Sequence, residues 1–405
     1  MRFTVIGITD DPRPYFPPDW QQVIASGRVF SGGKRHHDIV VPLLPECAVW
    51  IDITVPLDPV FKQYENAAAD IIVFASGDPL FFGFANTIRT RMPDAEIVLH
   101  PTFNSLQMLA HRLVMPYHDM RIVSLTGRPW PEFDKALIER TSKIGVLTDH
   151  THTPSEIARR MLDYGYDSYE MYVGEHLGHP GKERITTLAL NEATNRSFEH
   201  PNCLILKAKN PLPPKPFGIA DHLFALLDGR EKMITKMPIR LLTLQALGLP
   251  NRHVLWDIGF CTGSVSVEAR LQFPHVQVVA FEIRPACEAL IHTNSRRMGA
   301  PGIDVHIGDF LTTDLDGLPK PDAVFIGGHG EQLKAIMAKV LTVLSPDGCI
   351  VTNSVSSPIV QQLTARRNSS ELFHEACAEL GLTEEPSTHI TLNDYNPIEI
   401  LTCRK

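Results

Sequence analysis

A proline-rich segment divides the chain almost in half and most constrains its fold. Residues 210–216 contain four prolines, Pro211, Pro213, Pro214 and Pro216. Because proline lacks a backbone N–H and has a fixed φ, such a segment cannot continue a helix or lie in a central strand, and it is typical of a stiff connector. A chain of 405 residues is long enough for two or three domains. We therefore predict two domains, 1–209 and 219–405, joined by a linker over 210–218.

Short β-branched segments alternate with amphipathic helical patterns in the first half, which predicts an α/β fold with parallel strands and crossovers. The less regular spacing from Tyr169 onward predicts a second, mixed sheet. The predicted strands are Phe3–Ile8, Ala48–Ile53, Ile71–Ser76, Glu96–His100, Arg121–Leu125, Ile144–Thr148 and Tyr169–Val173.

The second half begins with a helical pattern over Ala220–Leu247 and continues as alternating strands and helices. Its last two strands are joined by residues 393–397, a hairpin-type sequence. We therefore predict a doubly wound, Rossmann-like domain that ends in an antiparallel hairpin. The predicted strands are His253–Ile258, Val276–Phe281, Ile303–Ile307, Ala323–Ile326, Cys349–Thr352, His389–Leu392 and Ile398–Leu401.

Charge and apolar patterning exclude several functional classes. The chain has 38 Lys and Arg against 46 Asp and Glu and no basic block, so no nucleic-acid partner is predicted. Apolar stretches such as Ile71–Ala75 fall far short of the ~20 residues that cross a bilayer, so no membrane association is predicted. The seven cysteines are scattered without a C-x-x-C pair, which favours a reducing cytoplasm. The paired histidines lie in loops without ligand spacing, so no metal is predicted.

A glycine-containing loop in the second half predicts a nucleoside-binding site. Residues 257–264 read Asp-Ile-Gly-Phe-Cys-Thr-Gly-Ser between a buried strand and a predicted helix over Val265–Leu271, where glycines permit a sharp turn and a close ligand. Glu282 ends the next strand, where a carboxylate can accept hydrogen bonds from both ribose hydroxyls. The strand after that leads to Asp309, an acid, and Phe310, an aromatic residue. The spacing is not G-x-G-x-x-G, so S-adenosylmethionine fits better than a dinucleotide. The predicted site comprises Asp257, Gly259, Phe260, Cys261, Thr262, Gly263, Glu282, Asp309 and Phe310; a turn that serves packing alone is the alternative.

A second candidate loop, Ser76–Gly83, follows the apolar strand of Ile71–Ala75. Gly77 permits a tight turn, and Pro79 suits the first position of a helix. Backbone groups around Asp78 could face a ligand, although a capped helix start explains the same residues.

The second candidate loop is similar to the cofactor loop of the tetrapyrrole methylases, cytoplasmic enzymes of cobalamin and sirohaem synthesis. Further segments resemble the precorrin-6Y branch of that family and its partner methyltransferase domain. They lie, in the order of the fused decarboxylating enzymes, at residues 32–36, 124–128, 174–178, 233–236, 255–259, 321–328 and 351–355. Together they cover nearly the whole chain.

The resemblance implies a two-lobed tetrapyrrole methylase fold followed by a class I methyltransferase domain, with one S-adenosylmethionine site in each. It implies a precorrin substrate, a homo-oligomer, methylation of carbon 5 by the first domain, and methylation of carbon 15 with loss of carbon dioxide from an acetate side chain by the second. Besides the loop of 257–263, it places Gly77, Asp78, Pro79, Leu80, Ser105 and Thr235 at the cofactor. It identifies no catalytic residue, and the cobalt-free and cobalt-containing substrates stay open.

Three segments depart from the family pattern. Cys261 replaces the middle glycine of its loop, residues 7–12 hold a single glycine, and residues 236–240 lack two charges of the family's basic run. Two other functions therefore stay open: a methyltransferase for RNA or another small molecule, and a non-catalytic protein that binds S-adenosylmethionine or a tetrapyrrole. A substrate with many carboxylates needs local cations on an acidic chain. The candidates, each equally compatible with solvated surface, are Lys34, Arg35, Arg128, Lys236 and Arg240.

Overall fold

The computed structural model describes residues 1–67, 69–355, 369–391 and 397–405. The chain forms two compact units. The first comprises Met1–Pro129, Ser142–Arg160 and Ser168–Pro211. The second comprises Trp130–Thr141, Met161–Asp167 and Leu212–Lys405. The domain boundaries at 209 and 219 stay predictions.

Strands and helices alternate up to residue 208. The strands are β1 (Arg2–Ile8), β2 (Val29–Gly32), β3 (Val49–Asp52), β4 (Ile71–Ser76), β5 (Glu96–His100), β6 (Arg121–Ser124), β7 (Lys143–Leu147), β8 (Tyr169–Glu175), β9 (Arg184–Ala189) and β10 (Asn202–Ala208). The helices are α1 (Pro18–Ser26), α2 (Lys34–Val40), α3 (Asp58–Ala67), α4 (Phe84–Arg91), α5 (Ser105–Arg112), α6 (Pro131–Ile138), α7 (Pro154–Asp163) and α8 (Leu190–Ala193).

The first sheet is parallel throughout, in the order β3-β2-β4-β1-β5. Successive residues of β1 pack on opposite faces: Phe3 and Val5 lie in one apolar core and Ile6 lies in another. This alternation follows from the two-residue period of a strand. Both faces are therefore buried, and the loops at the carboxyl ends of β1, β2 and β4 meet at one edge.

The second sheet is mixed, in the order β6-β7-β10-β8-β9, with only the β6–β7 pair parallel. The predicted mixed sheet is therefore present, but it begins with β6 rather than at Tyr169. Strands β2, β9 and β10 were not predicted from the sequence. Strand β2 has only four residues, and β10 lies centrally in the sheet although it follows an irregular segment.

After residue 211 the helices are α9 (Met237–Ala246), α10 (Ser264–Gln272), α11 (Ala286–Met298), α12 (Leu333–Leu341) and α13 (Ser369–Leu380). The strands are β11 (Val254–Ile258), β12 (Gln277–Glu282), β13 (Ile303–Ile307), β14 (Ala323–Ile326), β15 (Cys349–Val355), β16 (Thr383–Glu384), β17 (Thr388–Ile390) and β18 (Ile398–Arg404).

The third sheet has the order β13-β12-β11-β14-β15-β18-β16, and β17 also pairs with β18. Strands β11 to β15 are parallel, whereas β18 is antiparallel to its neighbours. Leu255 packs on one face of the sheet and Trp256 on the other. The predicted doubly wound sheet with antiparallel closing strands is confirmed. Most of the predicted turn, residues 393–396, lies outside the described residues, as does Leu392.

The helix predicted over Ala220–Leu247 is wrong for most of its length. Only α9 is α-helical there, and the preceding residues form short 3-10 turns at 221–223, 227–229 and 231–233. Asp228 and Gly229 have φ values of 50° and 68°, which a right-handed helix cannot contain. Pro238 lies at the start of α9, where its missing N–H costs no hydrogen bond. No described helix is both long and apolar enough to cross a membrane.

Candidate functional site

A cavity of about 1250 Å³ lies in the second unit at the carboxyl edge of its parallel strands. Most of the predicted site residues of this half line it, namely Thr235, Asp257, Gly259, Phe260, Cys261, Glu282, Asp309 and Phe310. Thr262 and Gly263 do not. Thr262 is buried, and its carbonyl oxygen accepts a hydrogen bond from Asn294 at 2.8 Å. Gly263 is the N-cap of α10.

The loop between β11 and α10 alternates left-handed residues. Gly259, Cys261 and Gly263 have φ values of 78°, 50° and 69°. A Cβ atom at Gly259 would lie 2.6 Å from the backbone nitrogen and oxygen of Gly328, and one at Gly263 would lie 2.4 Å from Ile291. Both glycines are therefore required by close approach as well as by φ. Cys261 adopts the same backbone region at a cost of about 1 kcal/mol.

The side chain of Cys261 is 7% exposed and belongs to an apolar cluster with Cys287 and Ile291. Burial raises the pKa of the Cys261 thiol. A buried thiol in apolar surroundings is unreactive. This fits a small apolar residue that packs behind the loop while it also lines the cavity.

Glu282 holds the loop to the next strand. Its Oε2 accepts a hydrogen bond from the Cys261 N–H at 2.9 Å, and Arg284 grips both oxygens, with Nε–Oε1 at 2.9 Å and Nη2–Oε2 at 2.8 Å. Burial would raise the pKa of Glu282, but the hydrogen bonds from Arg284 outweigh it and keep the pKa below its ordinary value. Arg284 also lines the cavity, although it was not predicted from the sequence. The signal in the sequence that could have indicated Arg284 is its position, two residues after the strand-end acid Glu282.

Asp257 is a buried carboxyl group, and one of its two oxygens accepts hydrogen bonds. Its Oδ2 accepts hydrogen bonds from the Ser266 N–H at 3.1 Å and from the Ser266 hydroxyl at 2.5 Å. Oδ1 has no hydrogen-bond partner among the described residues. Burial raises the pKa of Asp257 from 3.8 to about 7, and the hydrogen bonds from Ser266 only partly offset this. A buried acceptor without a partner is costly, so this oxygen can receive a polar or cationic group.

Asp309 and Phe310 follow β13, as predicted. The Asp309 Oδ1 accepts a hydrogen bond from the Leu311 N–H at 2.9 Å, so part of its function is to hold its own turn. Phe310 is 6% exposed and packs edge-on against Phe281, with ring centroids 5.1 Å apart. Phe310 thus belongs to the core as well as to the cavity wall.

The cavity is also lined by polar side chains from outside the loop. Lys236, His329 and Asn353 line it. The His329 Nε2 lies 3.0 Å from the Ser369 Oγ, whereas its buried Nδ1 has no hydrogen-bond partner among the described residues. The Asn353 Nδ2 donates to the Thr243 Oγ1 at 3.0 Å, which fixes the amide. Asn353 was not predicted as a site residue.

Arg240 is not available to a ligand, contrary to its candidacy as a carboxylate-binding cation. Its side chain is fully buried, with Nε 3.2 Å from the Glu268 Oε2 and Nη1 3.3 Å from the Asp221 Oδ1. It also donates to the Thr235 carbonyl oxygen at 2.8 Å. Arg240 therefore positions the segment before α9. Lys236 does line the cavity, with its Nζ 3.9 Å from Asp221.

A cavity of about 470 Å³ lies in the first unit at the carboxyl edge of the parallel sheet. Gly77, with φ of 60°, and Ser105 line it. A Cβ atom at Gly7 would lie 1.9 Å from the Gly77 carbonyl oxygen, so the single glycine of the first turn is required where the two loops meet.

Three other predicted residues of this loop lie outside the cavity lining. Asp78 caps its own turn, with Oδ1 accepting from the Leu80 N–H at 2.9 Å. Pro79 is buried and Leu80 is exposed. The helix does not open at Pro79 but at Phe84, with Gly83 as its N-cap. Phe82 has φ of 54°, which interrupts helical geometry before that point.

A polar network that was not predicted from the sequence also lines the cavity in the first unit. It joins Asp10, Arg35, His36 and Ser76, which follow or end three neighbouring strands. The His176 Nδ1 donates to the Asp10 Oδ2 at 2.8 Å and so extends the network.

The other two candidate cations of this unit lie outside the cavity lining. Lys34 is exposed. Arg128 is exposed as well, with Nη1 2.9 Å from the Ser124 Oγ and its guanidinium 5.3 Å from the Phe82 ring centroid. The described residues contain no group of three or more His, Cys, Asp or Glu that could hold a metal ion.

Two family models match the chain. Residues 54–194 match the tetrapyrrole (corrin/porphyrin) methylases, and residues 228–377 match a precorrin methyltransferase domain. A precorrin-6Y C(5,15)-methyltransferase (decarboxylating) from Sinorhizobium is 32% identical over 361 residues, which cover 87% of this chain and 84% of that protein.

Two shorter relatives each match about half of the chain. A cobalt-precorrin-6B C(15)-methyltransferase (decarboxylating) from Salmonella typhimurium is 34% identical, covering 46% of this chain and 95% of that protein. A cobalt-precorrin-7 C(5)-methyltransferase from the same organism is 28% identical, covering 50% of this chain and 98% of that protein.

Proposed function

The chain belongs to the family of precorrin-6Y C5,15-methyltransferases (decarboxylating), and from this membership we propose that each of its two units holds one S-adenosylmethionine. The chain is thus an S-adenosylmethionine-dependent methyltransferase with decarboxylating activity in cobalamin biosynthesis. The observation that carries the proposal of two sites is the pair of cavities, one within each unit, each beside a glycine turn at the carboxyl edge of parallel strands. Ligands of open α/β sheets bind at that edge.

The residues of the cavity in the second unit fit the methyl donor. The Oδ1 of Asp257, which has no hydrogen-bond partner in the part of the chain that the structure describes, suits the donor's ammonium group, because a cation relieves the cost of a buried acceptor. The close approach of Gly259 to the Gly328 backbone holds together two loops that line this cavity. Glu282 would accept hydrogen bonds from the ribose hydroxyls once Arg284 releases one of its hydrogen bonds to the carboxylate.

The residues of the cavity in the first unit fit a second molecule of the donor. Gly77 and Ser105 line it from the ends of β4 and the start of α5. Asp78, Pro79 and Leu80 would then shape the turn rather than touch the ligand. The donor supplies an activated sulfonium methyl group in both units.

The chain's own contribution to methyl transfer is alignment and exclusion of water. The ring carbons of a reduced tetrapyrrole are enamine-like nucleophiles, so no strong base is required. In the second unit the carboxylate that leaves as carbon dioxide needs a polar group to hold it while its bonding electrons pass into the macrocycle. Lys236 and His329 line that cavity and are the groups we assign to this task.

We assign carbon 5 to the first unit, and carbon 15 with decarboxylation to the second. The substrate is precorrin-6B or its cobalt form. A reducing cytoplasm is the proposed setting, because all seven cysteines are free thiols. The homo-oligomer and the absence of a nucleic-acid partner remain predictions.

Mass spectrometry of the reaction product tests the proposed function. The full chain is incubated with precorrin-6B and S-adenosylmethionine under anaerobic conditions. The product should have gained two methyl groups and lost one carbon dioxide. Gain of a single methyl group would leave one unit without activity. An unchanged mass, together with binding of either ligand, would support a non-catalytic binding protein instead.

A further inference from the structure

Three strand ends bring a hydrogen-bonded network to the wall of the first cavity. Ser76 ends β4, and its Oγ lies 2.7 Å from the Arg35 Nη2 and 2.9 Å from the His36 Nε2. Arg35 is anchored through Nη1 to the Asp10 Oδ1 at 2.6 Å. Asp10 is 9% exposed and also lies 2.8 Å from the His176 Nδ1. The Arg35 guanidinium is therefore fixed on one side by a buried carboxylate.

The His36 ring is neutral and lies against two donors. Burial lowers the pKa of His36 to about 3. The Gly33 N–H donates to the His36 Nδ1 at 3.3 Å, and the Arg35 Nη2, which can only donate, lies 3.3 Å from the His36 Nε2. His36 therefore packs against Arg35 and Ser76 as a neutral ring and adds no charge to the network.

Arg35 has donors beyond those that the network occupies. A guanidinium has five N–H groups and no acceptor. The Arg35 Nη1 donates to the Asp10 Oδ1, and its Nη2 donates to the Ser76 Oγ and lies against the His36 Nε2. Further N–H groups of the same guanidinium can therefore meet a ligand beside the Ser76 hydroxyl.

The network is open to the cavity at Ser76 and Arg35. Ser76 is exposed, and the Arg35 side chain is 37% exposed. Both residues line the cavity together with Gly77, the next residue along the chain. A hydroxyl donor beside a cation selects an anionic acceptor, and a carboxylate matches the planar guanidinium.

We propose that Ser76 and Arg35 form a carboxylate-binding subsite of the first unit, with Asp10 and His36 as positioning residues. This inference rests on the proposed function of that unit. The carboxylate belongs either to the tetrapyrrole substrate or to the amino-acid part of the methyl donor, and both present the same chemistry to the subsite.

Steady-state kinetics of carbon-5 methylation in the full chain tests the subsite. Cobalt-precorrin-7 and S-adenosylmethionine are varied in turn for the wild type, Ser76→Ala and Arg35→Gln. Loss of a charge-assisted hydrogen bond should raise one KM about 10- to 100-fold with little change in kcat. Ser76→Thr retains a hydroxyl and Arg35→Lys retains a charge, so both should recover part of the loss. Arg28→Gln, at an exposed position of the same unit, is the matched control.

The two arms identify the source of the carboxylate. A higher KM for cobalt-precorrin-7 alone assigns it to the substrate. A higher KM for S-adenosylmethionine, with unchanged inhibition by 5′-methylthioadenosine, assigns it to the donor, because that inhibitor lacks the amino-acid part. If both KM values stay within twofold of the Arg28→Gln control, the subsite is overturned.

A wild type that methylates neither cobalt-precorrin-7 nor its cobalt-free form would contradict the proposed function, not the subsite. Absorbance titration of the same variants with cobalt-precorrin-7, and calorimetry with S-adenosylhomocysteine, then decide the subsite by affinity. Ser76→Ala removes a single exposed hydroxyl, so it remains informative if Arg35→Gln does not fold. Equal affinities in wild type and Ser76→Ala for both ligands would overturn the subsite.

Discussion

Replacing Asp257 by asparagine should stabilise the second unit, and the gain should grow with pH. The carboxyl group is buried, one of its oxygens has no hydrogen-bond partner among the described residues, and burial raises its pKa to about 7. Asparagine keeps an acceptor for Ser266 but cannot ionise. The variant therefore removes the cost of a buried charge and little else.

The magnitude follows from the pKa difference between the folded and unfolded chain. Because the folded pKa lies above the ordinary value of 3.8, the native state binds the proton more tightly. The stabilisation by the protonated form is complete below about pH 4 and is lost as the pH rises through 7. A shift of about three pKa units corresponds to roughly 4 kcal/mol in total. About 2.5 kcal/mol of this falls between pH 5 and pH 8 by the same linkage relation.

The assay is urea unfolding at pH 5 and pH 8, read by hydrogen exchange in peptides of β11 and α10, so that only the second unit is scored. The free energy of unfolding of Asp257→Asn minus that of the wild type should increase by about 2–3 kcal/mol from pH 5 to pH 8. Asp316→Asn, which changes an exposed carboxylate of the same unit, reports the effect of the substitution itself. An equal difference at both pH values for Asp257→Asn would refute the reasoning.

Three further variants test other contacts. Gly259→Ala should abolish S-adenosylhomocysteine binding in the second unit, seen by calorimetry, because the new Cβ would lie 2.6 Å from the backbone of Gly328; undiminished binding would contradict this geometry. Arg240→Met should lower the free energy of unfolding by about 3–5 kcal/mol in urea, since it leaves a buried carboxylate unpaired, and the added change Glu268→Gln should recover part of the loss. The pKa of His36 is lowered to about 3, so the unfolded state binds the proton more tightly and stability is lost as the pH falls below 6.5. His36→Gln should therefore remove about 2 kcal/mol of the wild type's acid sensitivity between pH 7 and pH 5, and equal sensitivity in both proteins would oppose it.

Local sequence signals were sufficient for the loop from β11 to α10. An apolar strand, two glycines and a helical pattern are neighbours along the chain, so residues 257–264 could be located together and Glu282 could be placed at the next strand end. The left-handed φ of Cys261 was not readable from residue type, because cysteine rarely adopts it. It follows from the pattern set by Gly259 and Gly263.

Contacts between distant residues could not be predicted from the sequence. The network of Asp10, Arg35 and Ser76 joins three strand ends whose proximity depends on the order of the first sheet. Arg240 was a candidate ligand-binding cation from its charge, yet its partner Glu268 lies on another helix and buries it. Charge alone does not distinguish a cation that binds a ligand from one that holds a segment in place.

The proposed function requires two separate nucleoside pockets in one chain. Titration calorimetry of the full chain with S-adenosylhomocysteine measures their number most directly. We expect a stoichiometry of two per chain, reduced to one by Gly259→Ala. A stoichiometry of one in the wild type that falls to zero in this variant would contradict the account.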